Sequence, residues 1–388
     1  MAYKDPADIE EQHRVEDDVE AAAIALEVAI LAVIARRLGK LQDASLVEVY
    51  AAMPSDLEEI RRLTNSGTRN IQEVTKRAMD RMAAANDEWA SEYYKFTGKE
   101  QIPSTEHFQM KETLRRETKN ATDAVKVNCQ SSVIGIIQED YRGKTVKYTP
   151  IEEAYKQIVT DASTKMAAGA KTNLEVIADS VRMLSDSGLK VKYASGATRS
   201  LYSAVSTNVM DSYRVAMSDM REIQGKEFGA DGVEVSAHAL CAPDHQPFQG
   251  QQYSYKEWRD VQFEPARPLV VGANCGHVVF PVIRGVSQRA YTDEELASIT
   301  AKSNESVTVK GLSGEALTMS RYEASQYQRQ IETSIRKANE RSYLMKQAGQ
   351  DTAKLDKAIK ARTSQYRRIS KEAGLTTRME RTRAYVMS

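Results

Sequence analysis

The chain is predicted to be α+β and predominantly α-helical. Long helices flank a small mixed β domain at about residues 230–290, and a C-terminal β-hairpin with further helices follows. Three observations predict this. Only 9 prolines and 19 glycines punctuate the 388 residues, which leaves room for long helices. Apolar residues recur at helical spacing along most of the chain. The exception is the loop-rich stretch from Val233 to Ser287, which holds His238, His245, His277, Cys241 and Cys275, out of 5 histidines and 3 cysteines in all.

Hydrophobic content of 41% and charged content of 28% fit an ordinary globular protein and exclude a collagenous or wholly disordered one. The length suits two or three domains, each with its own core. The expected division is a helical region at 1–145, a helical connection at 146–229, the compact His/Cys β unit at 230–290, and the hairpin with basic helices at 291–388. The formal net charge is zero, but it is unevenly spread. Residues 1–60 carry 14 acids against 5 bases, and residues 321–388 carry 16 bases against 7 acids. The two ends should meet different surroundings or each other. The few cysteines do not form a disulfide framework, which suits folding in a reducing compartment. The N-terminus is acidic and polar, unlike a secretory leader. The most apolar run, Ala21 to Ala35, is too short to span a bilayer.

In order, Asp8 to Leu41 reads as one helix, apolar on most sides and therefore either the centre of a bundle or a docking helix for a partner. Ser55-Asp56-Leu57-Glu58 reads as a capping box opening a second helix. Asn65-Ser66-Gly67 should end it, and a third helix should run from Asn70 to Phe96. After a loop at Gly98–Pro103, helical pattern resumes to about Asp140, with a short turn from Arg142 to Tyr148. Thr149-Pro150-Ile151-Glu152 starts the next helix, with Thr149 as N-cap and Pro150 at the first position. Helices continue to Leu184, residues 190–193 form a short strand, and Ala197 to Phe228 is a long helix. Strands are expected at Val233–Val235, Gln252–Tyr255, Leu269–Val271 and His277–Ile283. Thr292 caps a short helix, Val307–Lys310 and Ala316–Met319 form a hairpin, and Ser320 and Asp351 cap the last two helices.

The runs SAHALCAPDHQPFQG, NCGH and FPVIRGVS, in that order, resemble the phage minor capsid protein 2 family. KVKYASGATRSLYSAVSTNVMDSYR before them, and YTDEELASI and YEASQYQRQIETSIRKA after them, are similar to it too. The resemblance covers roughly residues 150–345 and extends loosely to the N-terminal helices. The same segment is similar to Mu-F-like head morphogenesis proteins. Relatives commonly carry Arg where this chain has Gly276, and Cys241 does not look like a family-wide position. The resemblance implies a bacteriophage minor head protein, a non-enzymatic structural component of the virion. It implies action at the portal vertex or capsid interior in head morphogenesis, and in DNA packaging or ejection. The implied partners are the portal protein, the major capsid protein and packaged double-stranded DNA, with several copies per virion, assembly in the host cytoplasm and no membrane.

Two residue sets carry the chemistry. His238-x2-Cys241-x3-His245 together with Cys275-x-His277 offers donors that Zn²⁺ accepts, and a small unit with little core gains most from such a staple. The expected ligands are His238, His245, Cys275 and His277, with Cys241 as a substitute. The alternative is that the histidines pin loops by hydrogen bonds and Cys275 is a small buried hydrophobe. A zinc-dependent hydrolase of nucleic acid or cell wall is a rival reading, although no phosphate-cradling glycine loop, GxSxG or HExxH motif is present. A cytosolic helical adaptor is another. The second set is Arg362, Arg367, Arg368, Lys371, Arg378, Arg381 and Arg383, expected either to neutralise DNA phosphates or to form the solvated face of a terminal helix.

Overall fold

The computed structural model of the protein describes residues 6–140, 143–169, 171–262 and 275–385. Its axis is α1 (Pro6–Lys40). Val15, Val19, Leu26, Ile30, Ile34 and Leu38 are buried along it. At about 1.5 Å per residue it runs about 50 Å. Packed around it are α2 (Leu46–Thr97), α4 (Ile151–Ala167), α5 (Asn173–Ser187), α6 (Leu201–Phe228) and α9 (Arg321–Gln347), while α3 (Phe108–Gln130) lies against α2 and α6. Of the two readings of this helix, the structure realises the bundle centre: its apolar surface is covered by the chain itself.

The second helix departs from expectation. Leu46–Thr97 is one helix through both Pro54 and Gly67, opened by a capping box of Ser45 and Glu48. The expected break at 65–67 is absent, and the polar side chains there bond back to the helix: Thr64 Oγ1 donates to Ile60 O (2.9 Å), Ser66 Oγ to Leu63 O (3.2 Å) and Thr68 Oγ1 to Thr64 O (2.7 Å). Gly67 is there for proximity. A Cβ at that position would lie 2.6 Å from Leu26 Cδ1, so the glycine lets α2 close onto α1.

A second correction concerns residues 131–150. Helix α3 ends at Gln130, and the run expected to stay helical is β1 (Val133–Asp140). The expected turn is β2 (Gly143–Pro150), paired antiparallel with β1 so that Ile137 faces Val146. The β-branched run at 133–137 favours the extended form once a partner strand is available. Thr149 is therefore a strand residue, and α4 opens at Ile151 after Pro150 without a side-chain cap. Strands β3 (Leu189–Lys192) and β4 (Thr198–Ser200) complete a sheet of order β2-β1-β3-β4, and β4 takes the residues expected to begin α6.

The second sheet has β5 (Gly232–Val235) between β6 (Gln252–Ser254) and β7 (Val279–Val282), all antiparallel. Helix α7 (Tyr255–Gln262) follows β6 directly. The strand expected at Leu269–Val271 falls outside the described residues. Downstream come α8 (Asp293–Asn304), the hairpin β8 (Ser306–Lys310) and β9 (Ala316–Ser320), then α9, α10 (Ala353–Glu372) and a 3₁₀ turn, Met379–Thr382. Thr292 and Ser320 cap α8 and α9 as expected. Asp351 lies just ahead of α10 and accepts from Ala353 N (3.0 Å).

Two cores result. The large one joins α1 to α6 with Val278, Phe280 and Leu344, crossing residue 146 without a break. The smaller one, with Val309, Ile331, Ile335, Tyr366 and Ile369, lies inside the C-terminal hairpin and helices. No described helix is long and apolar enough to cross a membrane.

Candidate functional site

Strand β5 is buried along its whole length, and the chain leaving it folds back over the start of β7. Ser236 N donates to Val278 O (2.9 Å), and Val278 N returns a bond to Ser236 Oγ (3.0 Å). The loop then passes through Leu240, which has φ 62, a left-handed conformation that costs a leucine about 1 kcal/mol or more. Surrounding bonds hold it there. Gln249 Oε1 accepts from His238 N (2.6 Å), and Ser303 Oγ of α8 accepts from Leu240 N (3.0 Å). The Gln246 and Asn304 amides pair reciprocally at 3.1 Å, and Gly250 N returns to Val235 O (2.9 Å). Residues 236–250 are thus strapped between β7 and α8.

This strapping brings the Cys/His set together. The donor atoms of Cys241, His245 and His277 all lie within 4.8 Å of one another. Cys275 Sγ stands 3.3 Å from His277 Nδ1 and 3.6 Å from His245 Nδ1. These four residues are at most 4% exposed. His238 sits differently. Its ring packs on His277 with centroids 4.5 Å apart, its Nδ1 is 3.0 Å from Ala239 O, and its Nε2 faces Gly276, where a Cβ would stand 3.3 Å away. The expected ligand set and its substitute therefore converge, but Cys241 is grouped with His245 and His277 while His238 stacks alongside. Burial pushes the His277 imidazole down to about 2 and also lowers His238, so both rings are neutral at ordinary pH.

Residues not singled out from sequence complete the surroundings. Arg221 of α6 is buried between the rings of Trp89 and Phe280, 5.0 and 4.9 Å from their centroids, and donates to Val279 O (3.3 Å). Arg214, one helical neighbourhood earlier, is buried, and its Nε donates to Gln12 Oε1 of α1 (3.3 Å). Both arginines line a cavity of about 10 Å³ beside His277. Glu234 on β5 accepts from Ala290 N (2.8 Å) and Gln252 Nε2 (2.9 Å). A carboxylate at the middle position of the apolar strand V-E-V was the signal available for this last residue.

The basic C-terminal set divides. Arg378 and Arg381 turn inward and meet α1. Arg381 is bonded to Asp17 (2.8 Å) and Glu16 (3.4 Å), and Arg378 to His13 Nδ1 (3.0 Å), with Asp17 at 3.5 Å. The acidic beginning and the basic end of the chain therefore meet each other. Arg368 donates to Lys310 O (2.6 Å) and Arg362 to Ser334 Oγ (3.5 Å). Arg362, Arg367, Lys371 and Arg383 are exposed.

The fold is a mostly helical body with small antiparallel sheets and a buried Cys/His cluster, and comparison with known families identifies the class of protein. The family model for phage minor capsid protein 2 matches residues 17–371, nearly the whole chain. The chain belongs to that family and is a structural component of a phage virion. Comparison with curated proteins and with solved structures finds no match.

Proposed function

We propose that this minor capsid protein works at the portal vertex in head morphogenesis, where α10 lies against packaged double-stranded DNA and the helical body contacts the portal and major capsid proteins. It assembles there from the host cytoplasm in several copies and catalyses nothing. The observation that carries this reading is the outer face of α10. Lys357, Lys360, Arg367 and Lys371 are all exposed, and helical spacing puts them on one side, away from buried Tyr366 and Ile369. A row of cations along one face of a helix neutralises duplex phosphates and reads no bases. Arg378 and Arg381 take no part, because α1 already neutralises them.

Titrating duplex DNA at several salt concentrations tests this. Affinity should fall steeply with salt and be indifferent to sequence. Replacing Lys357, Lys360, Arg367 and Lys371 by Gln should flatten the log–log salt slope by about 3 to 4, at roughly 0.9 for each phosphate no longer neutralised. An unchanged slope rules out α10 as the DNA face.

A further inference from the structure

We propose that Cys241, His245, Cys275 and His277 bind one zinc ion in a closed, structural site that fastens the 236–250 loop to the entry of β7. Three observations carry it. The first is distance. Zinc bonds of about 2.1 Å to nitrogen and 2.3 Å to sulfur at tetrahedral angles place sulfur and nitrogen about 3.6 Å apart. Cys275 Sγ lies 3.3 and 3.6 Å from the Nδ1 atoms of His277 and His245, and Cys241 offers a sulfur within 4.8 Å of a donor atom on each histidine from the adjoining loop.

The second is polarity. Both buried Nδ1 atoms converge on the Cys275 sulfur, a weak hydrogen-bond partner, whereas a zinc ion takes all three as ligands. The third is the small size of the local core among the described residues. Val233, Val235, Trp258 and Val279 are the fully buried members of the cluster under this sheet, while the loop above them contains a strained Leu240. An ion joining residues on either side of the 246–274 segment supplies the cross-link that apolar burial there does not.

The site is closed. A catalytic zinc keeps a position open to water and substrate. Here every donor is at most 4% exposed, and the neighbouring cavity of about 10 Å³ admits no substrate. Two thiolate ligands balance the charge of the ion. His238 is a wall of the site: it packs on His277 and holds that ring in place.

The test uses the full chain, purified without chelator. Elemental analysis should give one zinc per chain. Exchange for cobalt(II) should give the absorption of tetrahedral cobalt together with a sulfur-to-metal charge-transfer band. Cys241→Ser should lose about half of that band at saturation and bind cobalt at least tenfold more weakly, whereas His238→Gln should keep both. Because a ligand variant can fail to fold, the second arm adds a chelator to the unaltered protein, which should lower its melting temperature and return it on adding zinc. A metal-free protein whose melting temperature ignores chelator and zinc overturns the site. Loss of cobalt in His238→Gln with retention in Cys241→Ser overturns the ligand set.

Discussion

A buried carboxylate seam lies between α1 and α9. Glu27 is fully buried and accepts from Leu189 N (2.9 Å), and Glu340 is 3% exposed with Arg336 at 3.8 Å. Burial, reinforced by Glu27, pushes Glu340 from 4.5 up to about 7, and Arg336 and Lys337 only partly offset it. Burial also raises Glu27. A carboxyl with a raised folded-state pKa holds its proton longer folded than unfolded, so stability falls as pH rises from about 4.5 to about 7. Glu340→Gln should therefore raise the melting temperature at pH 8 and change it little at pH 5, with Glu27 still facing Arg336. Equal effects at both pH values would contradict this account. Sequence marks Glu27 only as one charge in an apolar run, because its neighbours Gly188 and Leu189 come from an element about 160 residues away. The Cys/His residues were legible by type and rarity. That Cys241 rather than His238 groups with His245 and His277 goes with a loop passing through a left-handed Leu240, which no spacing rule foretells.

At the scale of elements, the segment after α10 is a strap across α9 onto α1. Arg378 N donates to Tyr366 Oη (2.7 Å), Asn339 Nδ2 to Thr382 O (2.9 Å), and Arg381 is largely buried against Asp17 and Glu16. Asp17→Ala removes the acceptor shared by Arg378 and Arg381 and should weaken the strap by about 2 kcal/mol. Limited trypsinolysis with mass spectrometry should then show faster cleavage after Arg378 and Arg381, with the rest of the chain as resistant as before. Elements opened by a strong local signal were readable: Thr292 with Glu295 and Ser320 with Glu323 both form complete capping boxes. Those decided by a partner were not. Val133 to Ile137 becomes a strand with β2 beside it, and Gly67 lies inside α2 where Leu26 of α1 packs against it.

At the scale of the whole molecule, α9 belongs to both cores: Ile331 and Ile335 pack in the C-terminal one and Leu344 in the main one. The C-terminal hairpin and α10 share few other apolar contacts with the main body and should open as a unit of lower stability. Hydrogen exchange should release the amides of α10 and β8 well before those of α1 and α6. A single common exchange rate would show instead that the two cores unfold together. The uneven charge was visible in the sequence as totals at each end. Which carboxylate receives which arginine was not, since that depends on how α9 positions the strap.

The ion pairs of His13, Glu16 and Asp17 with Arg378 and Arg381 also bear on synthesis. The ribosome makes α1 more than 350 residues before these last partners, so at translation speeds of about 5–20 residues per second the acidic row waits tens of seconds for its arginines. Throughout that interval the apolar flank of the same helix is uncovered on the side that α9 will occupy. Nascent chains should accordingly depend on chaperones until α9 and the strap emerge, and messages truncated upstream of Arg378 should yield aggregates.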